Sequence, residues 1–139
     1  MKKTPQALVV PSLLSADMGR LAEAVALLEE AGCELFHLDI MDGHFVPNLT
    51  FGPALVKTLS RSARKAHFSV HLMVSEPEKL LEEFVTERVR YLSVHAEACP
   101  HLHRMLQRIR QLGPGAGVAL NPGTGPWAIE YALEQADLV

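Results

Sequence analysis

The chain has 139 residues, 48% of them hydrophobic and 21% charged, with a formal net charge of −3. That balance suits one folded domain with a sizeable core, and it offers no basic patch or basic–aromatic interleaving for nucleic acid. No run approaches the ~18 apolar residues of a membrane span, and the apolar stretch behind Met1-Lys2-Lys3 is too short for a signal peptide, so a cytoplasmic setting away from membranes is expected.

Strand-like and helix-like segments alternate along the chain. Leu8 to Pro11 is a short apolar run ending at Ser12. Asp17 to Ala31 carries Leu21, Val25 and Leu28 at helical spacing, with Ser15 or Asp17 able to cap its start and Gly32 to end it. Leu35 to Ile40 predicts a strand, and Pro53 to Ala63 a helix with proline in its first turn. His67 to Leu72 predicts a strand, Pro77 to Thr86 a helix, and Tyr91 to His95 a strand. Pro100 to Leu112 predicts a helix stopped at Gly113, Gly117 to Leu120 a strand, and Pro126 to Gln135 a helix. Ala136 to Val139 looks like a further strand just beginning. Strands alternating with helices mean βαβ units and a parallel α/β sheet. No Gly-x-Gly-x-x-Gly turn supports a dinucleotide fold.

Polar residues recur at the predicted strand ends: Ser12, then His37 and Asp39, then His71, His95 and Asn121. In a barrel those ends ring one mouth, where such enzymes place their sites. Alternate residues of a strand face the same way, so His37, Asp39 and Met41 share a face. Two imidazoles and a carboxylate, His37, Asp39 and His71, suit a divalent metal such as Zn, Fe(II), Mn or Co. Asp39 also suits proton transfer at a carbon beside a carbonyl, although a turn or capping role would use the same residue type. Met41 and Met73, each two positions past a candidate ligand, read either as core filler or as a dry lid. His95 and Glu97 read either as support for the ligands or as a plain structural hydrogen bond. Asn121 to Gly125 is a turn-rich loop. His44, His67, His101 and His103 show no partner pattern, and Cys33 and Cys99 form no redox or metal motif.

Several ordered segments carry a resemblance: Pro11-Ser12-Leu13-Leu14-Ser15-Ala16-Asp17, His37 through Asn48 with Thr50-Phe51-Gly52-Pro53, Val70-His71-Leu72-Met73-Val74, Val94-His95-Ala96-Glu97-Ala98, and Ala119-Leu120-Asn121-Pro122-Gly123-Thr124. Together they resemble the ribulose-phosphate 3-epimerase family of (β/α)8 TIM barrels. The resemblance implies an isomerase of the pentose phosphate pathway that interconverts D-ribulose 5-phosphate and D-xylulose 5-phosphate by metal-assisted proton transfer through an enediolate. It implies His37, Asp39 and His71 as metal ligands, Asp39 as a catalytic acid/base, Ser12 and His71 as substrate contacts, and Met41 and Met73 as part of a methionine lid. The alternatives are an epimerase of a six-carbon ketose phosphate, or an inactive metal-binding remnant. A complete barrel of this kind takes about 200 residues or more. Residues 1–139 therefore read as one ribulose-phosphate-binding barrel domain, incomplete at its C-terminus, with five βα units and the start of a sixth strand. The family's second acid/base aspartate and its phosphate-binding loops fall beyond Val139. An open sheet edge at Asp137-Leu138-Val139 favours association with another copy of the chain.

Overall fold

Residue alternation within the strands decides which way the sheet faces. In the computed structural model, which describes residues 7–139, four parallel strands pair in sequence order: β1 (Leu35–Met41), β2 (His67–Met73), β3 (Val89–His95) and β4 (Gly115–Ala119). Met1 to Gln6, with the two lysines of the N-terminus, lie outside the described residues. Three helices follow the first three strands or precede them: α1 (Leu21–Glu30), α2 (Pro53–Ser62) and α3 (Leu102–Leu112).

One side of the sheet is apolar and sealed. Phe36, Leu38, Ile40, Phe68, Val70, Leu72, Leu92, Val94, Ala116 and Val118 are all buried, and they share one core with Leu21 and Val25 of α1, Val56 and Leu59 of α2, and Leu106 and Ile109 of α3. The helix residues stand three or four apart, the spacing of a single helix face. The other side is polar or small: His37 and Asp39 on β1, Ser69 and His71 on β2, Ser93 and His95 on β3, Gly115 and Gly117 on β4. The parallel register sets Asp39 beside His71, His71 beside Ser93, and Ser93 beside Gly117. Gly117 is required by close approach, because a Cβ there would sit 2.0 Å from the Ser93 hydroxyl oxygen and 2.8 Å from its Cβ.

Four expectations need correction. Leu8 to Pro11 is not a strand. Among the described residues its backbone pairs with the sheet only where the His37 amide donates to the Pro11 carbonyl and Ser12 bridges His37. Pro11 has no amide hydrogen to continue a ladder. The segment Pro77 to Thr86 is not one helix but two 3₁₀ turns, Pro77–Lys79 and Leu81–Phe84, interrupted at Leu80, whose φ of −114° breaks the helical repeat. Pro126–Gln135 is 3₁₀ rather than α-helical. Its only buried residues, Ile129 and Ala132, stand three apart, the period of the tighter helix, while Trp127 and Tyr131 face solvent. Helix α1 is shorter than the sequence suggests, because Asp17 caps a separate 3₁₀ turn, Met18–Arg20, instead of α1 itself.

The beginning of a further strand after β4 is present. The Val118 amide donates to Leu138, the Asp137 amide donates to Ala116, and the Asp137 carboxylate accepts the Ala116 amide at 2.9 Å. Leu138 therefore stands beside β4 in parallel, as Ser12 stands beside β1. At the opposite end of the strands, Glu29 accepts the amides of Arg64, Lys65 and Ala66, which ties α1 to the turn entering β2.

Candidate active site and metal centre

The C-terminal halves of β1 and β2, with Ser12 beside β1, bring four of the expected residues together. Ser12 donates its hydroxyl to Asp39 Oδ2 at 2.9 Å. Asp39 Oδ1 lies 3.1 Å from His37 Nε2 and 3.4 Å from His71 Nδ1. One ligand atom from each of His37, Asp39 and His71 falls within 4.8 Å of the other two. Ligands about 2.1 Å from a tetrahedral ion stand about 3.4 Å from one another, so the two separations match such a set, and the donor types suit it. All three residues are half-buried, accessible to a ligand yet shielded from bulk water.

The hydrogen bond from His37, assisted by the Ser12 hydroxyl, outweighs burial and holds the Asp39 carboxyl far below the usual carboxylate range. The group is therefore ionised at any physiological pH. Met41 and Met73 pair across the β1–β2 register and lie half-buried on the same side of the sheet as the candidate ligands.

A second row of residues continues from the first. His71 Nε2 is 2.9 Å from His95 Nε2, and His95 Nδ1 is 3.3 Å from Glu97 Oε2. Glu97 Oε1 accepts the Asn121 amide at 2.7 Å. Asn121 thus joins the mouth through its backbone, whereas its position at a strand end had pointed to the side chain. Burial, with His71 alongside, pushes the His95 ring down and favours its neutral form. Burial draws the Glu97 carboxyl up, but the Thr124 hydroxyl and the Asn121 amide more than reverse this and hold it below its ordinary value.

Two residues of the site were missed in the sequence. The Phe45 ring covers His95, with centroids 4.7 Å apart. Asp42 organises the loop that carries it, accepting the amides of His44 at 2.8 Å, Phe45 at 2.9 Å and Ser75 at 2.8 Å. The first two bonds form an Asx turn, which Asp followed by Gly and His signals locally. The bond to Ser75 joins the loops after β1 and β2 and leaves no local signal. Of the histidines that showed no partner pattern, His44 reaches the Asp42 carbonyl and His103 pairs with Glu134 at the surface.

The Asp42 clamp is acid-sensitive. Burial raises its carboxyl, but the Ser75, His44 and Phe45 amides prevail and hold it at about 2 against an ordinary 3.8. Between those values the unfolded chain binds the proton more readily, so the stabilisation is complete above about 3.8 and lost as pH falls through about 2. An acid titration of the Phe45 and Ser75 amide resonances is expected to show a midpoint near 2 in the parent and none in Asp42→Asn. A parent midpoint at 3.8 or above would disprove the clamp.

A model of the ribulose-phosphate 3 epimerase family matches residues 8–139. The chain belongs to that family. It is 46% identical over 131 residues to the ribulose-phosphate 3-epimerase of Bacillus subtilis (strain 168), covering 94% of this chain and 60% of that protein. The protein of that name from Synechocystis sp. is 48% identical over 133 residues, 94% of this chain and 57% of its own length. The chloroplastic ribulose-5-phosphate-3-epimerase of Arabidopsis thaliana is 47% identical over 134 residues, 95% of this chain and 47% of its own length. The chain thus spans 47–60% of the length of these epimerases. Its parallel strands, consecutive in order with helices on one face, have the α/β layout of part of a (β/α)8 barrel. No helix among the described residues is long and apolar enough to cross a membrane.

Proposed function

We propose that the protein interconverts D-ribulose 5-phosphate and D-xylulose 5-phosphate by moving a proton on the carbon beside the ketose carbonyl. The observation that carries this reading is an ionised Asp39 set between His37 and His71 at the strand ends of a chain in this family. His37, Asp39 and His71 would hold a divalent metal, Zn, Fe(II), Mn or Co, whose charge stabilises the negative oxygen of the enediolate. Asp39 Oδ1 faces the two imidazoles, while Oδ2 faces the Ser12 hydroxyl, so Oδ2 is the oxygen placed to take the substrate proton. Ser12, hydrogen-bonded to Asp39, and His71, 3.4 Å from it, would serve as substrate contacts. Met41 and Met73 shield the carbanionic intermediate from water.

Epimerisation needs a second acid on the opposite face of the planar intermediate. Among the described residues, Asp39 is the one carboxylate grouped with His37 and His71. The 139-residue chain alone is therefore expected to give no measurable net epimerisation. The activity belongs to the protein completed to the length of its relatives.

The test is to incubate ribulose 5-phosphate with that completed protein in deuterium oxide, adding each of the four metals in turn. Deuterium is expected at C3, together with xylulose 5-phosphate, and Asp39→Asn is expected to abolish both. Label confined to C1 would mean an aldose–ketose isomerase and would overturn the reading, and preference for a six-carbon ketose phosphate run in parallel would move it to that substrate. Turnover by the 139-residue chain at the rate of the completed protein would refute the need for a second acid outside it.

We also infer a reducing, cytoplasmic setting. Cys33 and Cys99 are both free thiols, and burial pushes Cys99 up to about 12, which leaves it inert. Self-association is the expected result of sheet edges at Ser12 and Leu138 that carry single bridges instead of full strands.

A further inference from the structure

His95 is the buried histidine of the mouth, with 6% of its surface exposed. It lies nearly parallel to His71, with ring centroids 5.0 Å apart and planes 21° apart. Each of its nitrogens has one partner, His71 Nε2 at 2.9 Å and Glu97 Oε2 at 3.3 Å.

Of the two carboxylate contacts made by this pair of rings, His95 with Glu97 has hydrogen-bond geometry and His71 with Asp39 does not, and this points to one arrangement of the hydrogens. A carboxylate only accepts, so His95 Nδ1 must carry a hydrogen toward Glu97. A neutral imidazole has one N–H, so His95 Nε2 is left as an acceptor. His71 Nε2 must then donate to it. The other nitrogen of His71, Nδ1, is left bare, and it faces Asp39 Oδ1 at 3.4 Å. Two bare acceptors facing one another repel unless a cation lies between them. The same carboxylate–histidine logic orients ligands at metal centres generally.

We propose that Glu97 and His95 are positioning residues that dictate the tautomer of His71, presenting its Nδ1 as a free ligand atom. The proposal rests on the reading of His37, Asp39 and His71 as metal ligands and says what prepares one of them. Glu97 is itself held by the Asn121 amide of the loop after β4, so that loop helps to orient a ligand on β2.

The test uses the metal-free protein at a pH where the rings are neutral. Long-range proton–nitrogen NMR of the His71 ring is expected to show hydrogen on Nε2. In Glu97→Ala the orienting acceptor is gone, and Asp39 is expected to draw the hydrogen onto Nδ1. Cobalt(II) affinity, read by titration against a chelator, is expected to fall about 10- to 100-fold in Glu97→Ala. His95→Phe, which keeps the bonds from Glu97 to the Asn121 loop, is expected to lose as much, and the double variant no more than either alone. That pattern separates orientation of His71 from general loosening of the loop, which His95→Phe would spare.

Hydrogen on Nδ1 in the parent, or an unchanged tautomer in Glu97→Ala, would overturn the proposal. If His71→Ala abolishes cobalt binding while Glu97→Ala leaves the tautomer and affinity alone, the ligand assignment survives and the positioning role does not. If the parent binds no cobalt, the ligand assignment fails, and the tautomer measurement still decides what Glu97 and His95 do.

Discussion

Asp39→Asn is expected to lower epimerase turnover of the completed protein by at least about 10²-fold, the usual effect of losing one acid/base group. The substitution preserves shape, so the side chain can still accept from Ser12 and fill the space between His37 and His71. What it removes is the negative charge and the proton affinity. The carboxyl is held ionised chiefly by the hydrogen bond from His37. An amide in its place can accept with only one of its two terminal atoms, and its NH₂ would meet either the Ser12 hydroxyl or an imidazole. Cobalt(II) affinity should fall in the same variant, because a carboxylate ligand is exchanged for a neutral one. The measurement is kcat together with metal affinity. Near-normal kcat with reduced metal affinity would leave Asp39 as a ligand and exclude it as the proton carrier.

Phe68→Ala is expected to cost about 3–5 kcal/mol of stability, as deletion of a buried aromatic side chain generally does. Phe68 is fully buried on the apolar side of the sheet near the start of β2, and its ring meets Phe36 at a centroid distance of 6.3 Å. Strand β2 lies between β1 and β3, so neither neighbour can move in to fill the void without breaking ladder bonds. The loss is a large part of the roughly 5–15 kcal/mol that holds a typical domain together. Surface pairs such as Arg104–Glu78 are each worth only about 0.2–1 kcal/mol and cannot compensate. Urea unfolding of parent and variant gives the difference directly. A loss below about 1 kcal/mol would mean that the helices collapse onto the gap, which contradicts a close-packed sheet–helix layer. The conservative Phe68→Leu should recover most of the stability.

The site was legible where its geometry is local. His37 and Asp39 are two apart on a strand, so the chain alone places them on one face. His71 could be added because it occupies the same position near the end of the next strand, and the register does set it beside Asp39. Glu97 and Asn121 could not be joined in the same way. Their contact depends on where the β3 and β4 ends fall relative to each other and on how two loops turn, and no residue pattern encodes that. The first predicted strand shows the opposite failure. Leu8 to Pro11 has strand-like composition, but a strand exists only with ladder partners, and here the segment finds one bridge.

The same division runs through the whole protein. The sequence by itself determined the alternation of strands and helices, the two-faced strands and the shared face of His37 and Asp39, because each follows from residue spacing along a single element, whereas His71 joins them through the β1–β2 register. Only the tertiary structure decided that Phe45 covers His95, that Asp42 ties two loops together, and that Glu97 reaches His71 through an intervening imidazole. Those contacts join residues from different elements, and their geometry is set by strand register and close packing, which are properties of the assembled sheet rather than of any one segment.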